Sequence, residues 1–207
     1  MDMSKTSHIP IIILAAGQSI RMRGTDKLLQ HISTVPLIKR QTEIALQATN
    51  GTVIVTLPSP PHPRYDALEG LNIQRVPVAD AREGMAASLR AGFANLPKNT
   101  TAAMLLLADL PELTQVDLKK LLSAVDTGSK SLAWQATTEA GCPGHPIVFS
   151  STLFPKIAEL TGDIGARAIL KQCTNRITFV ALPENRARRD LDTPEDWAAW
   201  REERSDD

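Results

Sequence analysis

Near its start the chain reads Leu14-Ala15-Ala16-Gly17-Gln18-Ser19, followed by three cations, Arg21, Arg23 and Lys27. Small side chains let a backbone come close to a ligand, and consecutive exposed N–H groups can cradle phosphate oxygens. Cations beside such a cradle suit a polyphosphate. The run matches neither GxxxxGK[ST] nor GxGxxG, which counts against a P-loop ATPase and a dinucleotide site. On spacing alone, a tight turn with solvated charges serves equally well.

Asp109 follows an apolar run, Ala102 to Leu107, so a strand there would deliver its carboxylate to the edge of a sheet. Magnesium takes hard oxygen ligands, usually one or two protein carboxylates beside phosphates and waters. The same aspartate also suits a cap on the turn into Pro111. Asp190 and Asp192 form a second acidic pair, and in extended chain alternate residues share a face. Both can then reach one site, unless Asp190 or Asp196 serves to cap the helix that follows. Gly84 stands at a helix start with free N–H groups, and Ala86, Ala87 and Ser88 leave room for a flat base or ribose. Close packing of that helix on the sheet explains the same glycine.

Other reactive types carry less. His145, in the turn Gly144-His145-Pro146, has no metal-ligand partner at zinc spacing. Cys142 and Cys173 form neither a CxxC pair nor a disulfide framework, and no His-Cys pair supports nucleophilic catalysis. Arg186, Arg188 and Arg189 read as a solvated face rather than a phosphate site. Trp197 and Trp200 sit three apart on a helix, as core residues do.

The elements that must position these groups alternate. Short buried strands are predicted at Ile9 to Leu14, Thr52 to Leu57, Ala102 to Leu107 and Arg176 to Leu182. Helices are predicted over Pro36 to Thr49, Met85 to Asn95, Gln115 to Val125, Thr152 to Leu160 and Ala166 to Lys171. A last helix starts at Pro194, with Thr193 as its cap. That order implies a doubly wound, mostly parallel α/β sheet with helices on both faces. Leu132 to Thr137 and Pro146 to Phe149, weaker strands around a Gly/Pro turn, form a small antiparallel excursion on its edge. Pro58 to Pro63 reads as a surface loop. Residues 1–8 read as a disordered tail and 9–204 as one domain.

A chain of 207 residues with 43% hydrophobic content can bury a sizeable core. Its 23 basic and 23 acidic residues cancel, which argues against nucleic acid or anionic lipid held by bulk electrostatics. No apolar run is long enough to span a bilayer and no secretory signal is evident, so a cytoplasmic location is expected.

The pattern LAAGxSxRM followed by Gly24-Thr25-Asp26-Lys27 resembles the signature of the nucleotidyltransferases that attach a nucleotide to molybdopterin. The resemblance continues through Glu83-Gly84-Met85-Ala86-Ala87-Ser88-Leu89-Arg90-Ala91-Gly92, Leu107-Ala108-Asp109-Leu110-Pro111 and Gly144-His145-Pro146. It extends to Gly162-Asp163-Ile164-Gly165-Ala166-Arg167 and to Asp190-Leu191-Asp192-Thr193-Pro194-Glu195-Asp196. These motifs stand in the family's order along nearly the whole chain. Ala16, where a guanylyltransferase more often carries a second glycine, is similar to the cytidylyltransferase branch. Two departures concern loop shape: Arg23 stands between Met22 and Gly24, and the turn Ser33-Thr34 lacks a glycine.

The resemblance implies a Rossmann-like nucleotidyltransferase fold and transfer of CMP from CTP to the phosphate of molybdenum-bound molybdopterin, releasing pyrophosphate. It places the nucleotide on Leu14, Ala15, Ala16, Gly17, Gln18, Ser19, Lys27, Gly84 and Ser88. Mg2+, with Mn2+ as a substitute, falls to Asp109 and Asp192, and catalysis to Arg21, Lys27 and Asp109. The acceptor side falls to His145, Asp163 and Arg167, and a molybdoenzyme or its maturation chaperone is the implied recipient. A guanylyltransferase, transfer to a sugar or terpenoid phosphate, and a non-catalytic nucleotide-binding regulator or cofactor carrier are the alternatives.

Overall fold

The computed structural model describes residues 8–205, so the expected tail lies outside the described residues apart from His8. The elements run β1 (Ile11–Leu14), β2 (His31–Ile32), β3 (Val35–Pro36), α1 (Leu37–Ala48), β4 (Val53–Pro58), α2 (Pro63–Ala67), β5 (Gln74–Val78) and α3 (Met85–Ala94). They continue with β6 (Ala102–Leu107), α4 (Gln115–Ser123), β7 (Ala133–Thr137), β8 (Pro143–Ser150), α5 (Phe154–Ala158), α6 (Ala166–Lys171), β9 (Ile177–Ala181) and α7 (Pro194–Ser205).

β-Branched residues are stiff at χ1 and pack well on a pleated surface. β1, Ile-Ile-Ile-Leu, accordingly lies inside a seven-stranded sheet of order β5-β4-β1-β6-β8-β7-β9. The pairs β5–β4, β4–β1, β1–β6 and β7–β9 are parallel, while β8 runs against both β6 and β7. Alternation sends Ile11 and Ile13 to one face, where α1, α4, Trp197 and Trp200 cover them. It sends Ile12 to the other, under Leu89 and Phe93 of α3, Ile157 of α5 and Ile169 of α6. Burying one such side chain contributes about 1.5–3 kcal/mol. The two faces therefore hold the strand ends in place.

Four features differ from the sequence reading. β5 escaped it because Gln74, Arg75 and Pro77 are exposed and only Val76 and Val78 are buried, too short an alternation to register. Its proline is tolerated because β5 is an edge strand. The β7–β8 hairpin is interior to the sheet, because β9 adds beyond β7. β9 is itself the other edge, and its Phe179 is exposed. The Pro-rich stretch ends in a helical turn, α2, capped by His62.

Both departures in loop shape are absorbed by left-handed backbone. Ser33 turns the β2–β3 hairpin at φ 55, and Arg23 ends a single helical turn at φ 51. Each costs about 1 kcal/mol in a residue other than glycine.

Candidate active site

The chain leaves β1 and turns back to β6 on its other side, after first building β4 and β5. Ligands in open α/β sheets sit outside the carboxyl ends of the strands at such a reversal. Leu14 pairs with Leu107 across it. A cleft of about 620 Å3 opens there, lined by Leu14, Ala15, Ala16, Gly17, Gln18, Ser19, Arg21, Lys27, Gly84, Ser88, Asp109, Asp163 and Asp192. All the predicted nucleotide contacts thus face one space. Ile20, Ala81, Arg82 and Met85 also line it, and the sequence reading did not single them out.

Three carboxylates converge at one end. Oxygens of Asp109, Asp190 and Asp192 lie within 4.8 Å of one another. Asp109 leaves the end of β6, and its carbonyl accepts a hydrogen bond from the Leu191 amide at 3.3 Å, which stitches the two acidic segments together. The segment carrying Asp190 and Asp192 is fastened further by the start of α7. Thr193 Oγ1 accepts from the Asp196 amide, and Asp196 Oδ2 accepts from the amides of Thr193 and Asp192. That reciprocal box makes Asp196 the capping acid and leaves Asp192 for the cleft wall, with Asp190 exposed beside it.

Lys27 enters this cluster from the opposite side. Its ammonium donates to Asp109 Oδ2 at 2.5 Å and to Asp192 Oδ1 at 2.7 Å. Arg21 pairs with Asp192 Oδ2 at 2.7 Å. Burial disfavours the Lys27 charge, but the two carboxylates outweigh it and hold its pKa above the usual lysine value. Burial pulls the Asp192 pKa up, and Lys27 and Arg21 override it to a net lowering. Asp190 moves the other way, raised by partial desolvation and by the negative charges of Asp109 and Asp192. Asp109 Oδ1 is buried and has no hydrogen-bond partner among the described residues. A buried acceptor without a donor, beside two further carboxylates, fits a hard divalent cation.

The acceptor-side candidates separate. Asp163 lines the cleft, whereas His145 and Arg167 are not among its walls. Asp163 also does not cap α6, since Gly165 holds that position. The His145 amide donates to Ala187 O at 2.7 Å, and burial pushes its imidazole pKa down to about 4 despite the nearby Asp109 charge. It is a neutral ring behind the carboxylates. Ala86 and Ala87 turn into the core, so of the small residues after Gly84 only Ser88 reaches the cleft. Arg186 pairs with Asp117 and Arg189 with Glu112 and Glu203, which accounts for two of the three arginines structurally.

A family model, the MobA-like NTP transferase domain, matches residues 11–177. The chain belongs to that family. It is 29% identical over 199 residues to purine catabolism protein PucB of Bacillus subtilis (strain 168), across 90% of this chain and 92% of that one. Rv0371c of Mycobacterium tuberculosis H37Rv superposes with a TM-score of 0.78 at 27% identity, over 94% of this chain and 98% of its own. A crystal structure of Rv0371c in complex with manganese is also known. A nucleotidyl transferase from Methanothermobacter thermautotroptrophicus shares the fold, with a TM-score of 0.80 at 17% identity, over 95% of this chain and 97% of that one. As a MobA-like NTP transferase the protein is a nucleotidyltransferase.

Two loops of this MobA-like site depend on a missing side chain. Gly84 has φ 121, and a Cβ there would fall on the Asp163 carboxylate and within 2.7 Å of Gly162 O. The close partner is thus the 162–163 loop, while helix–sheet contact falls to Gly92, whose Cβ would lie 2.5 Å from Ile12 Cγ2. Gly84→Ala should cost about 2 kcal/mol or more in urea unfolding, from φ strain plus backbone collision. A shift under 0.5 kcal/mol would show that the loop yields freely.

One residue of this site gave no sequence signal. Arg64, in α2, is 1% exposed and bound to the nucleotide loop. A lone arginine after a Pro-rich stretch carries no pattern, because what matters is the partner it meets, Asp26, 38 positions away.

Proposed function

We propose that this nucleotidyltransferase moves CMP from CTP to the phosphate of molybdenum-bound molybdopterin and releases pyrophosphate. The observation that carries the reading is Lys27 between Asp109 and Asp192 at the mouth of the Ala15–Ser19 loop. There a phosphate cradle, a cation and paired carboxylates meet at one point. Asp109 and Asp192, with Asp190 beside them, would hold Mg2+ or Mn2+. The manganese complex of Rv0371c supports that choice. The ion, when bound, would supply charge neutralisation and alignment of phosphate oxygens.

This chain's residues do the rest. The acceptor phosphate is already ionised at neutral pH, so it attacks the α-phosphorus without a general base. The new phosphorus–oxygen bond forms as the α–β bridge breaks, and pyrophosphate leaves with the electron pair. Arg21 and Lys27 stabilise the charge that builds on the α-phosphate and the departing group. Amides of the loop cradle the phosphates.

For the base, Ala16 is the supporting residue. Ala16 is 2% exposed, lines the cleft and clusters with Val78 and Ala87. Alanine where a guanylyltransferase more often carries glycine supports cytosine as the base. Asp163 in the cleft supports an acceptor near the 162–167 segment. A cytoplasmic enzyme handing its product to a molybdoenzyme or maturation chaperone fits the two unpaired cysteines, and no described helix is long and apolar enough to cross a membrane.

Calorimetry with the four ribonucleoside triphosphates and magnesium tests the donor. CTP should bind at least tenfold more tightly than GTP, about 1.4 kcal/mol. Preference for GTP would move the protein to guanylyl transfer, and binding of none would remove the donor site.

A further inference from the structure

Arginine carries five N–H donors in a rigid planar fork, and burying it is costly unless its charge and its donors all find partners. Arg64 has a carboxylate for its charge and acceptors for four of its five donors, on the nucleotide loop and outside the lining of the cleft. Its Nε donates to Asp26 Oδ2 at 2.7 Å and its Nη2 to Asp26 Oδ1 at 2.7 Å. Nη2 also reaches Ser19 Oγ at 3.2 Å, and Nη1 reaches Ala15 O at 2.5 Å. One guanidinium therefore touches both ends of the phosphate-binding loop.

The partners extend the grip. Ser19 Oγ donates to Asp26 Oδ1 at 3.2 Å and accepts from the Lys27 amide at 3.3 Å. Together with Arg64 this uses the one donor and both acceptor sites of a hydroxyl. The Ser19 hydroxyl has no capacity left for a nucleotide, so what the loop offers phosphate is its backbone amides and the Gln18 side chain. Asp26 Oδ1 accepts from the Leu28 amide at 2.9 Å as well, which fixes the turn that aims Lys27 at the carboxylates. Ser19 sits in left-handed backbone at φ 52, a conformation that costs energy unless neighbours hold it. Burial of Asp26 would raise its pKa, but Arg64 brings it below the ordinary value, so both members stay charged.

We propose that Arg64, through Asp26 and Ser19, is a positioning residue for catalysis: it sets the shape of the Ala15–Ser19 cradle and the aim of Lys27 before the triphosphate arrives. It touches no substrate. The inference rests on the reading of that loop as the triphosphate site. Arg64→Lys keeps the charge but offers a point ammonium that cannot bridge Asp26, Ala15 O and Ser19 at once.

Four measurements decide it: thermal unfolding, Mn2+ binding by electron paramagnetic resonance, magnesium tripolyphosphate binding by calorimetry, and steady-state transfer. Folded Arg64→Lys should bind tripolyphosphate about tenfold more weakly and turn over about tenfold more slowly, as misplaced catalytic groups do. Mn2+ affinity should not fall, because Arg64 does not touch the carboxylate cluster and a misaimed Lys27 would only relieve its competition with the ion. A purely structural role would lower the unfolding temperature and leave tripolyphosphate affinity and kcat of the folded protein unchanged, which would overturn the proposal. Should Arg64→Lys fail to fold, Ser19→Ala decides instead, since it removes the three hydrogen bonds of the Ser19 hydroxyl and leaves the Arg64–Asp26 ion pair. It should weaken tripolyphosphate about threefold with Mn2+ affinity retained, and wild-type binding by it would overturn the proposal. If the wild-type protein binds neither tripolyphosphate nor any nucleoside triphosphate, the site reading itself falls, a result distinct from either variant's behaviour.

Discussion

Lys27→Ala is expected to lower turnover by roughly a hundredfold to a thousandfold, while nucleotide-free protein binds Mn2+ more tightly than wild type. The two effects have one cause. Without nucleotide the Lys27 ammonium lies 2.5 Å from Asp109 Oδ2 and 2.7 Å from Asp192 Oδ1, where it neutralises the carboxylates that would hold the metal. A divalent cation and an ammonium about 4 Å apart on shared carboxylates would repel by roughly 1–4 kcal/mol per unit charge pair, depending on the local dielectric. With the ion held by Asp109 and Asp192, Lys27 would be released toward the phosphates, where its charge would oppose the charge building in the transition state. Removing it relieves the repulsion and forfeits the stabilisation. Mn2+ titration followed by electron paramagnetic resonance reads the first effect, and pyrophosphate release reads the second. If turnover survives within threefold of wild type, Lys27 has no part in the chemistry. If Mn2+ affinity falls, the ammonium is a bystander held elsewhere in solution.

Asp109→Asn is expected to cost roughly a thousandfold in turnover, about 4 kcal/mol of transition-state stabilisation, with Mn2+ affinity falling in parallel. Of the three carboxylates Asp109 is the one with a buried oxygen lacking a hydrogen-bond partner, so it has the most to gain from a metal ligand. Asp192 is engaged by both Arg21 and Lys27, and Asp190 is exposed with a raised pKa. The amide keeps the volume and one neutral oxygen, so the fold should persist. An unfolding midpoint near that of wild type, together with lost Mn2+ binding, separates loss of a ligand from loss of structure. Near-normal turnover would place the metal, or its substitute, on other groups.

What the sequence determined by itself is local or strictly ordered along the chain. The apolar β-branched run of β1, the Thr193-Pro194 start of α7 and the small residues of the first loop each act through neighbours a few positions away, so their pattern is readable. The motif order, from Leu14 to Asp196, carried the family resemblance for the same reason. It also indicated that Asp109 and Asp192 belong together, though 83 positions of chain separate them.

What only the tertiary structure decided is which distant groups meet. Nothing in Gln74 to Val78 announces an edge strand, because an edge needs only one buried face and this one is two residues deep. The β7–β8 hairpin looks like an edge excursion until β9 pairs parallel to β7 and encloses it. The Ser19 hydroxyl has the right type and place for a phosphate contact, yet its hydrogen bonds are taken by Asp26, Lys27 and Arg64. Lys27 looks like a phosphate ligand in the sequence and rests against carboxylates in the fold. Hydrogen bonds and charge pairs are satisfied in three dimensions, among whatever donors and acceptors packing brings within about 3 Å, and sequence spacing has no access to that distance.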